Sequence, residues 1–131
     1  MATFHHPVAI DAADIDHMGH VNNAVYLKWV QEAVIDYWRS VAPPDAVTRH
    51  LWVALKHEIS YLRPTFLQDN VVAEVIAEKV EGARAFFRTV LRRGDDVLSE
   101  IQSCWCCLDA ATKRPARLAR EISGRFFAKP D

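Results

Sequence analysis

Asn22-Asn23-Ala24-Val25-Tyr26-Leu27-Lys28-Trp29-Val30-Gln31-Glu32-Ala33-Val34-Ile35-Asp36-Tyr37-Trp38-Arg39-Ser40-Val41 is the stretch that decides the fold class. Within it Leu27, Val30, Val34, Tyr37 and Val41 recur at three- and four-residue steps, the period of an α-helix with a buried face. Ala24, Ala33, Ile35 and Trp38 widen the apolar arc, which predicts a helix covered on more than one side. Asn22 or Asn23 is placed to cap its start, and Pro43-Pro44 to stop it.

On the C-terminal side the period changes to two. Val53, Leu55, His57, Ile59 and Tyr61 alternate with Ala54, Lys56, Glu58, Ser60 and Leu62 until Arg63-Pro64 ends the run. Val71, Ala73, Val75 and Ala77 make an apolar face opposite Glu74 and Glu78. Arg84 to Arg92 reads as another strand, with Arg84, Arg88 and Arg92 on one face, and a turn at Gly94-Asp95-Asp96 joins it to Val97 to Leu108 as an antiparallel hairpin. On the N-terminal side Phe4 to Ile10 is extended. Strand, long helix, about four strands and a short terminal element make an α+β chain: one antiparallel sheet wrapped around one well-buried central helix.

The chain has 131 residues, a length that suits a single domain over 1–131, and 50% hydrophobic residues supply its core. Sixteen Lys and Arg against 17 Asp and Glu give a net charge of −1, which argues against nucleic-acid binding by phosphate neutralisation. Every window of about 18 residues carries charge, so no membrane span is expected. MATFHHPVAIDAADID lacks a basic region followed by an apolar core, so a signal peptide is not expected and the cytoplasm is the expected compartment. Cys104, Cys106 and Cys107 lie in one short stretch without a second cysteine pair. They read as reduced, buried thiols rather than as a disulfide or a zinc site, and no metal is expected.

The chemistry concentrates in Asp14-Ile15-Asp16-His17-Met18-Gly19-His20-Val21-Asn22-Asn23-Ala24-Val25-Tyr26, two carboxylates and two histidines immediately before the helix. A helix N-terminus presents backbone N–H groups and the positive end of the dipole, a place for an anion or a developing oxyanion. A carboxylate beside it can attack a carbonyl carbon or activate water. The competing reading is that these aspartates and asparagines only cap the helix and its entry turn. Both stay open at this point.

Asp14, Asp16, Gly19, His20, Val21, Asn22, Asn23, Tyr26 and Trp29 form Asp-x-Asp-x-x-Gly-His-Val-Asn-Asn-x-x-Tyr-x-x-Trp. This resembles the signature of hotdog-fold acyl thioesterases, and the 4-hydroxybenzoyl-CoA thioesterase-like group in particular. His57-Glu58-Ile59-Ser60-Tyr61-Leu62-Arg63-Pro64, followed by Asp69, resembles the strand after the helix in the same group. The likeness covers about residues 4–110. It implies a hotdog fold and hydrolysis of an acyl-CoA or acyl-carrier-protein thioester, with no cofactor beyond the coenzyme A of the substrate. It also implies a homodimer or a dimer of dimers.

By the same resemblance Asp16 is the catalytic carboxylate, nucleophile or general base. The helix-start amide that polarises the thioester carbonyl falls at Asn23, and His20 matches the motif histidine. Carrier-protein thioesterases carry an asparagine two residues after the aspartate; Met18 stands there, which favours a carboxylate-centred mechanism. Arg84 falls near a basic segment that contacts coenzyme A phosphates. Tyr26, Tyr61 and His57 are candidate pocket-wall residues, His57 alternatively a hydrogen-bonded core histidine. Glu58 faces away from His57 and reads as solvated. Two rivals remain: a hotdog hydratase or dehydratase using His20 with Asp16, and a non-catalytic acyl-CoA-binding domain.

Overall fold

The computed structural model describes residues 3–127. At its centre lies the helix that the 22–41 periodicity predicts: α1 runs Val25–Val41 and buries Tyr26, Trp29, Val30, Ala33, Val34, Tyr37 and Trp38. Its start differs from expectation. The N-cap is Ala24, already in helical backbone and with no side-chain cap. Asn22 acts earlier: its Oδ1 accepts the Ala24 N–H at 3.0 Å and its carbonyl the Val25 N–H at 2.9 Å. A short polar side chain that bonds the backbone two residues on makes a turn into the helix instead of capping it. Val41 ends α1, and Pro44 opens a second short helix, α2 (Pro44–Arg49), which sequence reading missed because proline both stops one helix and suits the first turn of the next.

Five strands form one antiparallel sheet: β1 (Thr3–Pro7), β2 (His50–Tyr61), β3 (Val72–Glu81), β4 (Arg84–Arg93) and β5 (Asp96–Asp109), in the order β1-β3-β4-β5-β2. Their inner faces close on α1. Ala73, Val75 and Ala77 of β3 meet Leu91, Thr89 and Phe87 of β4, and these meet Ser99, Ile101 and Ser103 of β5. All nine are buried. Phe4 of β1 stacks on Tyr37 of α1 at 4.9 Å between ring centroids. A terminal helix, α3 (Arg120–Ser123), and a 3₁₀ turn at Gly124–Phe127 bring Phe126 under Tyr37, whose hydroxyl donates to the Phe126 carbonyl at 2.6 Å. One sheet wrapped on one helix is the hotdog arrangement that the motif implied.

The alternation predicted for β2 fails at its middle. Ala54 pairs with Trp105 and Lys56 with Cys104, so Leu55 is an extra residue, a β-bulge. Before it Trp52 and Ala54 face inward; after it His57 and Ile59 do. Val53 and Leu55 therefore lie on the outer face, 43% and 49% exposed, and do not share a face with His57. The cysteines are free: Cys106 and Cys107 are buried and Cys104 half-buried. Among the described residues no helix is long and apolar enough to cross a membrane.

Candidate active site

Asp14 and Asp16 have separate fates. Asp14 is buried; its carboxylate accepts the Asp11 N–H at 2.9 Å and its carbonyl the Asn22 N–H at 2.8 Å. It is a structural residue, as the capping reading held. Asp16 is half-buried at the start of a tight loop closed by a bridge between Ile15 and Val21. Its Oδ1 accepts the N–H groups of Met18 at 2.9 Å and His20 at 3.2 Å. The loop backbone adds two more bonds, Asp16 N–H to the His20 carbonyl at 2.8 Å and Gly19 N–H to the Asp16 carbonyl at 3.1 Å. Gly19 takes φ +81° at the tip, with open space where a Cβ would stand, so the demand for glycine is conformational and not one of room. Among the described residues nothing donates to the second carboxylate oxygen of Asp16.

That carboxylate opens onto a cleft of about 520 Å³, lined also by His17, Met18, His20, Asn23, Tyr26, Tyr61 and Arg63. Asn23 is exposed, and its N–H has no acceptor among the described residues. Such a donor at the start of a 17-residue helix carries the positive end of the dipole. The Asn23 carbonyl is held by the Tyr26 N–H at 3.4 Å and by the Tyr61 hydroxyl at 3.2 Å. Tyr61 in turn sits edge-on to Tyr26, with ring centroids 5.3 Å apart. The Tyr26 hydroxyl bonds Thr65 Oγ1 at 2.8 Å; burial raises its pKa, partly offset by that bond. One cleft is thus lined by a residue with an unbonded carboxylate oxygen and a residue with an unclaimed N–H, a pairing suited to attack on a carbonyl carbon and retention of its oxygen.

Five sequence candidates, Asp16, His20, Asn23, Tyr26 and Tyr61, line the cleft. The His20 ring rests edge-on against Phe66 at 5.2 Å and makes no hydrogen bond to Asp16. His57 and Arg84 lie elsewhere. The bulge turns His57 onto the inner face of the sheet, edge-on to Trp105 at 5.7 Å, with both ring nitrogens buried and unpartnered among the described residues. Burial pushes its pKa down, because the charged form loses its hydration there. Arg84 begins β4 beside Cys106, which pairs with Val53 on β2. The cleft is at the Tyr61 end of that strand, roughly 25 Å away at strand rise.

Two cleft-side residues escaped sequence reading. Thr65 is fully buried; its carbonyl accepts the Val21 N–H at 2.8 Å and its hydroxyl holds Tyr26. Arg63 lies on the cleft wall and pairs with Asp96 at 3.0 Å. A threonine after Arg-Pro gives no periodic signal, because the loop it sits in is ordered only by tertiary contacts. Among the described residues no group of three or more His, Cys, Asp or Glu is placed to hold a metal ion.

The sequence profile of the thioesterase superfamily matches residues 18–100, well over half of the chain. The chain belongs to the thioesterase superfamily. The matched segment begins two residues after Asp16, so the standing of that carboxylate rests on geometry and on the motif around it. Solved structures place this superfamily member among hotdog proteins. A thioesterase from Thermus thermophilus, solved with coenzyme A and zinc, is 27% identical, with a TM-score of 0.82 over 95% of this chain and 97% of its own. A 1,4-dihydroxy-2-naphthoyl-CoA thioesterase from Synechocystis is 16% identical, with a TM-score of 0.78 over 96% of each chain. A Staphylococcus aureus protein solved in complex with CoA is 17% identical, with a TM-score of 0.85 over all of this chain and 89% of its own. The last two share the fold alone. No curated protein matches this member of the superfamily.

Proposed function

We propose that this chain hydrolyses an acyl-CoA-type thioester to a free carboxylic acid and a thiol. The observation that carries the reading is the shared cleft of Asp16, with one carboxylate oxygen unbonded, and the Asn23 N–H, with no acceptor among the described residues. In one route Asp16 attacks the thioester carbon, the C–S bond breaks, and water then cleaves the mixed anhydride. In the other Asp16 takes a proton from the water that attacks. In both, the carbonyl oxygen gathers negative charge at the Asn23 N–H, where the helix dipole favours it, and the sulfur leaves and takes up a proton. The two loop N–H groups on Oδ1 fix the carboxylate while leaving its other oxygen to react. His20 orients the substrate from the cleft wall. This route requires no cofactor beyond the coenzyme A carried by the substrate.

Coenzyme A bound in the Thermus thermophilus and Staphylococcus aureus structures supports a CoA ester over a carrier protein. Arg63, on the cleft wall, is better placed than Arg84 of the same chain to meet its phosphates. A second copy of the chain is the partner. β2 is an edge strand of 12 residues, with Leu51, Val53 and Leu55 exposed on its outer face. A long apolar edge of this kind is normally paired, and antiparallel pairing of two β2 strands would extend the sheet across both copies and wall the open side of the cleft. Reduced thiols suit the cytoplasm.

Thiol release from acetyl-CoA, octanoyl-CoA and benzoyl-CoA tests the proposal. Hydrolysis of any of them supports it and names the acyl class. Binding of these esters without turnover would favour a non-catalytic acyl-CoA-binding domain, and hydration of crotonyl-CoA a hydratase.

A further inference from the structure

The segment between β2 and β3, residues 62–71, crosses from one edge of the sheet toward the other without a helix, passing the end of the β4–β5 hairpin. A ten-residue crossover with little internal structure needs anchors: at its start the Leu62 and Arg63 N–H groups donate to the Leu98 carbonyl at 2.9 and 3.1 Å, and further along one side chain holds two points of it. Arg93, the last residue of β4, donates through Nη1 to the Asp69 carboxylate at 2.8 Å and to the Pro64 carbonyl at 3.3 Å, and through Nη2 to Asp96 at 3.4 Å. Its side chain is 28% exposed and that of Asp69 12%, so the pair is shielded more than an ordinary surface ion pair. Asp69 passes the constraint on: the same carboxylate oxygen accepts the Phe66 N–H at 2.8 Å, and the Asp69 N–H donates to the Phe66 carbonyl at 3.1 Å. The planar guanidinium thus ties both ends of the 64–69 loop to the hairpin, which a point charge would not do.

The other side of the loop faces the cleft. The Thr65 carbonyl accepts the Val21 N–H, closing the segment that carries Asp16, and the Thr65 hydroxyl holds Tyr26 in the first turn of α1. Phe66 backs the His20 ring. Both halves of the proposed chemistry, the carboxylate loop and the helix start, lean on the stretch that Arg93 fixes. We propose that Arg93 is a positioning residue: through Asp69 and Pro64 it sets the 64–69 loop, and through Thr65 it sets Asp16 relative to the Asn23 amide. This inference rests on the thioesterase reading for its catalytic half. Its structural half, that Arg93 fixes the loop, stands apart.

The test uses the full chain with Arg93→Gln, Arg93→Lys, Asp69→Asn and the Arg93→Gln/Asp69→Asn double variant. Two quantities are measured: kcat and KM on whichever of the three CoA esters is hydrolysed, and hydrogen exchange residue by residue. Misplacing reacting groups by about 1 Å costs on the order of 100-fold, so Arg93→Gln is expected to lose at least about 10-fold in kcat with KM within about twofold. Asp69→Asn is expected to fall similarly, the double variant little further because both act through one contact, and Arg93→Lys to recover part of the loss. Exchange should quicken at the Val21 amide and stay slow in β4 and β5. Unchanged kcat in Arg93→Gln, or quickened exchange throughout the sheet with no recovery in Arg93→Lys, would overturn the proposal. If the unaltered chain hydrolyses none of the esters, the thioesterase reading fails, and slow Val21 exchange in Arg93→Gln would overturn the clamp on its own.

Discussion

Asp14 and Asp16 are two residues apart and of one type, yet one is a strut and the other faces a cleft. What separates them is the direction of the donors around them: the Asp14 carboxylate takes the Asp11 N–H on the buried side, while loop N–H groups hold Asp16 by one oxygen and leave the other on the cleft. The motif marked both, and backbone geometry alone could assign them. The thiols divide by the same local logic. Burial pushes the Cys107 thiol up to about 12, so its folded form stays protonated where an unfolded thiol ionises. The sign follows: this contribution is full below the ordinary thiol value near 9 and is lost as pH rises from there toward about 12. In the native protein at pH 8, an aromatic disulfide reagent is expected to react fast with the half-buried Cys104 alone, and with all three cysteines once the chain is denatured. Rapid reaction of three thiols in the native state would contradict the burial of Cys106 and Cys107, and would also blur any thiol-release assay.

At the scale of elements, the long helix and the strand pairs were legible because their periods run unbroken over ten or more residues. Leu55 shows where that legibility stops. A bulge adds one residue and turns every later side chain to the other face, and no feature of Val53-Ala54-Leu55-Lys56-His57 announces it. His57 thereby leaves the apolar row in which it was counted and packs edge-on against Trp105. Because burial lowers its pKa from the ordinary 6.5, the unfolded chain takes up a proton there that the folded one refuses. Stability is therefore full above about 6.5 and falls as pH drops below it. His57→Phe is expected to flatten the slope of stability against pH on the acid side of 6.5 in urea melts, and an unchanged slope would place the effect elsewhere. The 62–71 crossover was illegible for a different reason: Thr65, Asp69 and Arg93 are far apart in sequence from the groups they hold and meet them only when the sheet has formed.

For the whole molecule, strand order marks the edge at which the proposed second copy would pair. β1 and β2 are the edges, β2 is the longer, and the cleft opens beside its Tyr61 end. Sedimentation should find dimers or their multiples at micromolar concentration. Leu51→Glu/Val53→Glu, which places like charges along the β2 edge, is expected to shift the protein to monomer and to lower kcat/KM with it. A variant that stays dimeric would move the interface off β2. Composition foretold none of this, since an apolar edge and an apolar core draw on the same residues. The exposure of Leu51, Val53 and Leu55 became visible only with the bulge and the register in place.

The most direct measurement is single-turnover hydrolysis of benzoyl-CoA, octanoyl-CoA and acetyl-CoA by the unaltered chain and by Asp16→Asn, which keeps the size of the side chain and an oxygen for the Met18 and His20 N–H groups. Hydrolysis of at least one ester is expected, with a loss of about 100-fold or more in the variant and an unchanged melting temperature. Hydrolysis by Asp16→Asn at close to the unaltered rate would contradict it, because among the described residues no other carboxylate lines the cleft that Asn23 opens onto.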